Sequence, residues 1–115
     1  MKGYRYIVFF LYILSAAVFT PAQAQLNTDR ITAIGRNALY FEDYVLSIQY
    51  FNQVIRLKPY LSEPYLYRSI AKIQLEDYQG ALKDCNASLE RNPFSPGSYY
   101  ARGYIYRLLE RWEDA

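Results

Sequence analysis

Apolar and small residues recur every three or four positions along most of this chain: Ile31, Ile34, Gly35 and Ala38; Phe51, Val54 and Ile55; Leu82, Cys85 and Leu89; Tyr99, Gly103 and Tyr106. That spacing is the stripe of an amphipathic helix, and no run alternates with period two over a strand's length. Short polar turns at Glu42-Asp43 and Glu76-Asp77 separate the stripes, and Pro59 and Pro93 end two of them because proline cannot continue a helix. Ser62 and Ser95 are N-cap candidates, each followed by a proline (Pro64, Pro96) in the first turn, where a missing N–H costs nothing. The pattern predicts helices over residues 28–41, 44–58, 62–75, 78–92 and 96–109.

Laid against itself at an offset of 34, the chain superposes Ile31, Tyr65 and Tyr99, then Gly35, Ser69 and Gly103. The same offset aligns Glu42, Glu76 and Glu110; Tyr44, Tyr78 and Trp112; Ser47, Ala81 and Ala115; and Pro59 with Pro93. Tyr-x-x-Arg occurs twice in this register, at Tyr65–Arg68 and Tyr99–Arg102. A period of this length without insertions means stacked supersecondary units, here pairs of helices. Small residues at 35, 69 and 103 on each first helix are expected to face those at 47, 81 and 115 on the second, letting the backbones approach to the short end of the ~8–10 Å helix spacing. Tyr44, Tyr78 and Trp112 are expected across each hairpin mouth, and Phe51 and Cys85 toward the next unit.

The leader reads differently. Residues 1–24 comprise a basic start (Lys2, Arg5), an apolar run from Ile7 to Phe19 broken only by Ser15, and small residues at Ala22 and Ala24. This is the plan of a secretory signal peptide cleaved before Gln25; an uncleaved N-terminal anchor is the alternative. The apolar run is shorter than the ~20 residues of a bilayer span. Residues 25–27 then form a short extension, 28–61 and 62–95 two repeats, and 96–115 a truncated third. Either way the expectation is an exported protein of the periplasm or cell envelope, or a secreted one.

Composition narrows the chemistry. The chain has no histidine, which removes the commonest general base, the Ser-His-Asp and Cys-His arrangements and the commonest metal ligand. Lys2 and Arg5 account for two of its 13 basic residues, and the remainder balances the 11 acidic ones, so no electrostatic case for nucleic acid survives. The lone Cys85 closes no intramolecular disulfide and reads as a small core residue. The acidic pairs Glu42-Asp43, Glu76-Asp77 and Glu113-Asp114 diverge by about 100° on a helix and lack calcium-loop spacing, so they read as turn formers and first-turn dipole partners. Arg68 and Arg102 read as partners of a neighbouring unit's carboxylate. Asn86-Ala87-Ser88 falls mid-helix and reads as chance. No phosphate loop, Cys pair or nucleophile context occurs after residue 24, and no catalytic residue, cofactor or metal site is expected.

The residues from Thr28 to Ala115 resemble a tetratricopeptide-repeat array: the 34-residue unit, small residues at the helix crossing, an aromatic opening the second helix and a terminal proline. The second unit carries the resemblance best, from Tyr65-x-x-Arg68-Ser69 through Tyr78-x-x-Ala81-Leu82 to Asn92-Pro93. Ala38 and Lys72 depart from it, standing where the family has a bulky aromatic. The resemblance implies an all-α, right-handed α-solenoid of antiparallel helix pairs. It also implies a non-enzymatic scaffold that binds a protein or peptide on its concave face. Carried over position by position, that face comprises Thr32, Arg36, Leu39 and Tyr40; Leu66, Ile70 and Ile73; and Tyr100, Tyr104 and Arg107. The plainer reading is that some of these are buried against further helices. The Lys and Asn clamp with which the family grips a terminal carboxylate has no counterpart, since Thr32/Arg36, Leu66/Ile70 and Tyr100/Tyr104 occupy the matching places. An apolar or aromatic segment carrying an acidic group for Arg36 or Arg107 is the expected partner. Helix 96–109 is expected to keep an uncovered stripe (Tyr99, Tyr106, Leu109), because Arg111–Ala115 would begin a second helix and stop. The chain is therefore expected to be the N-terminal piece of a longer protein, with membrane contact only through the leader or a C-terminal anchor beyond it. The alternative function is the sensing or docking arm of a larger membrane-anchored signalling protein or envelope enzyme.

Overall fold

The computed structural model describes residues 2–16 and 21–113, all of them in helices or the turns between helices. The elements are α1 (Lys2–Ala16), α2 (Pro21–Tyr40), α3 (Tyr44–Leu57), α4 (Glu63–Gln74), α5 (Tyr78–Arg91) and α6 (Pro96–Glu113). α2 pairs with α3 and α4 with α5 as antiparallel hairpins. α3 packs on α4 and α5 on α6, so that α2, α4 and α6 share one face. This is the solenoid of helix pairs expected from the repeat. α1 packs on no other helix among the described residues, and no described helix is long and apolar enough to cross a membrane.

Both hairpin turns are built alike, one repeat apart. Glu42 and Glu76 adopt left-handed backbone (φ 64° and 63°), and the next residue caps the second helix. Asp43 accepts from the Leu46 N–H at 3.3 Å and Asp77 from the Gly80 N–H at 3.0 Å. Glu42-Asp43 and Glu76-Asp77 are thus turn and cap residues, with the Asp carboxylate at the positive end of the helix, whereas Glu113 ends α6 and Asp114 lies outside the described residues. At Gly80 a Cβ would meet the capping Asp77 carboxylate, which would have to shift to make room.

The crossings carry the expected small residues. Ser47, Ser69, Ala81 and Cys85 are fully buried. The Ser47 hydroxyl donates to the Gly35 carbonyl at 3.0 Å, and a Cβ on Gly35 would press on the Phe51 ring at 3.0 Å. Phe51 reaches the next unit and stacks on Tyr67, with centroids 5.4 Å apart. Cys85 lies in a cluster with Ile73, Ala81, Ala101 and Ile105, against which Tyr78 and Leu109 pack.

The repeated Tyr-x-x-Arg motif has a repeated job. The Tyr65 hydroxyl donates to the Pro59 carbonyl (2.9 Å) and that of Tyr99 to the Pro93 carbonyl (2.8 Å), tying each first helix to the turn before it. Each arginine lies over its tyrosine ring and reaches back to the preceding unit: Arg68 donates to Asn52 Oδ1 at 2.8 Å, Arg102 to Asn86 Oδ1 at 3.1 Å.

Five expectations need correction. Helix α2 starts at Pro21 and not at 28, because proline suits the first turn and Gln25 bonds to Asp29 one turn on (3.0 Å), extending the helix through 25–27. Ser62 makes no side-chain cap; its hydroxyl goes to the Ser88 carbonyl instead, at 2.9 Å. The carboxylate that Arg68 meets belongs to its own unit, Asp84, and the neighbour supplies the Asn52 amide; among the described residues Arg102 meets the Asn86 amide and no carboxylate. α6 does not end at 109 but runs on to Glu113. Leu109 is covered by the core cluster, which leaves Tyr99 and Tyr106 (48% exposed each) as the open part of that stripe. The expected pairing of Ala115 with Gly103 lies outside the described residues, and nothing among them comes within 4 Å of a Cβ placed on Gly103.

Candidate protein-binding face

Among the described residues, the face shared by α2, α4 and α6 carries two grooves. The first, about 620 Å³, lies between α2 and α4 and is lined by Ala33, Arg36, Asn37, Leu39, Tyr40 and Tyr67. The Arg36 guanidinium lies 5.6 Å from the Tyr67 ring centroid, and among the described residues it has no carboxylate within ion-pair distance. The second, about 320 Å³, lies between α4 and α6. Leu66, Ile70, Ile73, Tyr100, Ala101 and Tyr104 line it, with Gln74 the main polar side chain. Arg107 stands over the Tyr104 ring at 5.7 Å, beside this groove and outside its lining.

Eight of the ten residues placed on this face by register line one groove or the other: Arg36, Leu39 and Tyr40 the first, Leu66, Ile70, Ile73, Tyr100 and Tyr104 the second. Ile73 does so from the core, as a buried floor residue. Thr32 lines neither of these two grooves, and its hydroxyl donates to the Thr28 carbonyl at 2.8 Å. Tyr67 and Asn37 were not anticipated. The signal for Tyr67 was present, since it precedes Ile70 and Gln74 by helical spacings on the same face of α4.

Behind the face lies a buried charge cluster. Asp84, 2% exposed, receives both the Nε (2.8 Å) and an Nη (2.6 Å) of Arg68, and Lys72 Nζ approaches it at 2.9 Å. Lys72, which interrupts the aromatic pattern, therefore neutralises a carboxylate that the first unit lacks; Tyr50 stands in that register. Beside it, burial pushes the Cys85 thiol pKa up and Asp84 adds to the shift, against the Ser69 hydrogen bond and the Arg102 charge. The thiol is thus held protonated, the state of a core residue and not of a nucleophile. Among the described residues no group of His, Cys, Asp or Glu could hold a metal ion.

These features define a helix-pair repeat fold with a grooved first-helix face, and comparison with known structures agrees. The TPR domain of Arabidopsis OM64 superposes with a TM-score of 0.73 at 19% identity, covering 78% of this chain and 74% of that one. The TPR2AB domain of yeast Sti1, solved as a complex with pHSP90, superposes at 0.71 and 18% identity over 98% of this chain and 43% of its own. The fold is that of the tetratricopeptide-repeat domains. No family model matches the chain. By sequence it is similar to the Protein SGT1 homolog of Oryza sativa subsp. japonica (30% over 74 residues, 64% of this chain). It is also similar to Protein FlbA of Caulobacter vibrioides (36% over 75 residues, 58% of this chain) and to mouse sperm-associated antigen 1 (24% over 102 residues, 89%). The chain spans 20%, 12% and 11% of the length of these proteins respectively.

Proposed function

We propose that this chain is a non-enzymatic scaffold that binds a protein or peptide segment across the face of α2, α4 and α6. The observation that carries the reading is the pair of neighbouring grooves, one apolar and one holding an arginine that has no carboxylate partner among the described residues. Grooves between helices lined by aromatic and aliphatic side chains suit an apolar side chain of a ligand, and the Arg36 site suits an acidic one. A Sti1 domain of the same fold was solved with pHSP90, which supports a protein or peptide as the class of partner. The segment best matched here carries an aliphatic or aromatic residue and an acidic residue a few positions apart. The same face would serve the docking arm of a larger membrane-anchored signalling protein or envelope enzyme.

The leader supports export. Lys2 and Arg5 precede the apolar run, so the positive end stays on the cytoplasmic side and the solenoid lies across the membrane, in the periplasm or cell envelope. A panel of peptides varying the spacing of one acidic and one apolar residue, titrated by calorimetry, tests the binding face. Saturable binding that weakens in Arg36→Ala for acidic peptides alone supports it; no binding by any peptide refutes it. Cell fractionation tests location independently, with recovery in the cytosol as the refuting result.

A further inference from the structure

We infer that the open face of α6 docks an amphipathic helix of a partner protein, antiparallel to α6, with a small residue three positions before an aspartate or glutamate. This face holds Tyr99, Arg102, Gly103 and Tyr106, and it is separate from the grooves, since Tyr100 and Tyr104 line the second of them. One repeat earlier, α4 shows the same face covered. There α5 lies over it: Ser69 is fully buried, and Tyr65 is only 7% exposed, with the Arg91 guanidinium 4.1 Å from its ring centroid. Arg68 is held from both sides, by Asn52 sixteen residues before it and by Asp84 sixteen residues after it.

In α6 only the first half of this arrangement is made. Arg102 donates to Asn86, sixteen residues before it. The position sixteen residues after it falls past residue 115, and among the described residues Arg102 meets no carboxylate. Tyr99 and Tyr106 are each 48% exposed, and a Cβ on Gly103 would have nothing described within 4 Å. The opposite end of the array makes no such demand. In α2 the arginine register is held by Ile34, and in α3 the carboxylate register by Tyr50. Within this chain the two positions change together: Ile34 goes with Tyr50, and Arg68 with Asp84.

The chemistry of the occupant follows. A helix laid on α6 takes water from Arg102, and a guanidinium so buried needs a carboxylate. An apolar helix is therefore disfavoured and a basic one repelled. Tyr106 stands in the register of Lys72, the second cation on Asp84, and its O–H can donate to the same carboxylate. The gap over Gly103 admits a backbone only where the facing residue is small, as Ala81 is at the crossing of α4 and α5. Ala81 precedes Asp84 by three positions, which sets the spacing expected of the partner helix.

The test uses that covering helix as the probe. A fluorescein-labelled peptide of residues 77–92, with Cys85→Ala against oxidation, is locked as a helix by a lactam between Lys83 and a Gln79→Glu replacement, both exposed positions on α5. It is titrated by anisotropy into the full chain. Saturable binding is expected, weakened about tenfold or more by Arg102→Gln in the protein or Asp84→Asn in the peptide, and little further by both together. Gly103→Leu, whose Cβ meets open space, should keep the helical circular dichroism and abolish binding. Absence of binding overturns the proposal, as do additive losses in the two variants. Binding indifferent to Arg102→Gln and Gly103→Leu means that the peptide exchanges with α5 itself and also overturns it. A chain that sediments as a dimer through this face and excludes the peptide makes the occupant a second copy. Peptide binding by chain 1–115 that is lost in the protein purified from its own cells makes the occupant part of the same polypeptide; either result overturns the partner.

Discussion

Asp84 is the residue on which the second unit most depends. A buried carboxylate is tolerable only while its charge is met, and Arg68 and Lys72 meet it from one helix turn of α4. Asp84→Ala strands both cations in a half-buried site and should cost about 3 kcal/mol in chemical denaturation. Lys72→Met should cost less, because the two-point contact with Arg68 remains. Cys85, next in sequence, should resist alkylation at neutral pH until the protein unfolds. Its raised pKa also has a sign for stability. The folded state holds the proton longer than the unfolded one, so the contribution is whole below the unfolded thiol's pKa and is lost as pH rises through that value toward the higher folded one. Cys85→Ser should flatten that alkaline decline in a series of melts.

Between elements, the hairpins depend on how closely two backbones approach. Ala81 is fully buried at the crossing of α4 and α5, whereas the Ser47 hydroxyl makes one bond to the Gly35 carbonyl. Ala81→Leu should therefore cost ~1–3 kcal/mol through overpacking, and Ser47→Ala less, as thermal melts will show. The turns make a contrary prediction. Glu76 holds a left-handed backbone that glycine adopts without cost, so Glu76→Gly should leave stability unchanged or raise it by up to about 1 kcal/mol. The turn positions were readable from sequence, because an acidic pair interrupts the apolar stripe every 34 residues. Their left-handed geometry was not, since glutamate has no preference for it and only the closing of the hairpin imposes it.

For the whole molecule, the face of α2, α4 and α6 is where function is proposed to lie, and its grooves are aromatic more than charged. Tyr100→Ala or Tyr104→Ala should weaken binding of a responsive peptide by roughly 1–2 kcal/mol or more. Lys83→Ala, exposed on α5 away from that face, should leave it near wild type. Calorimetry on the three variants decides the matter; unchanged binding in both tyrosine variants would place the site elsewhere.

Periodicity alone was enough to establish the helix pairs, their 34-residue spacing and the small residues at the first two crossings; the face was read from the resemblance to the repeat family. Each of the first three follows from which positions along a helix must be apolar or small, and that is written locally in the chain. Partner choice at longer range was not. Arg68 could have met a carboxylate in either unit, and the fold gave it Asp84 from its own hairpin and Asn52 from the neighbour. Ser62 could have capped its helix, and the approach of α5 drew its hydroxyl to Ser88. Tyr67 became a groove residue, with Phe51 stacked on it from the preceding unit, and Gln25 on α2 found Lys58 in the first inter-unit turn. In every case several local partners were chemically equivalent, and only the packing of one hairpin on the next decided which lay within reach.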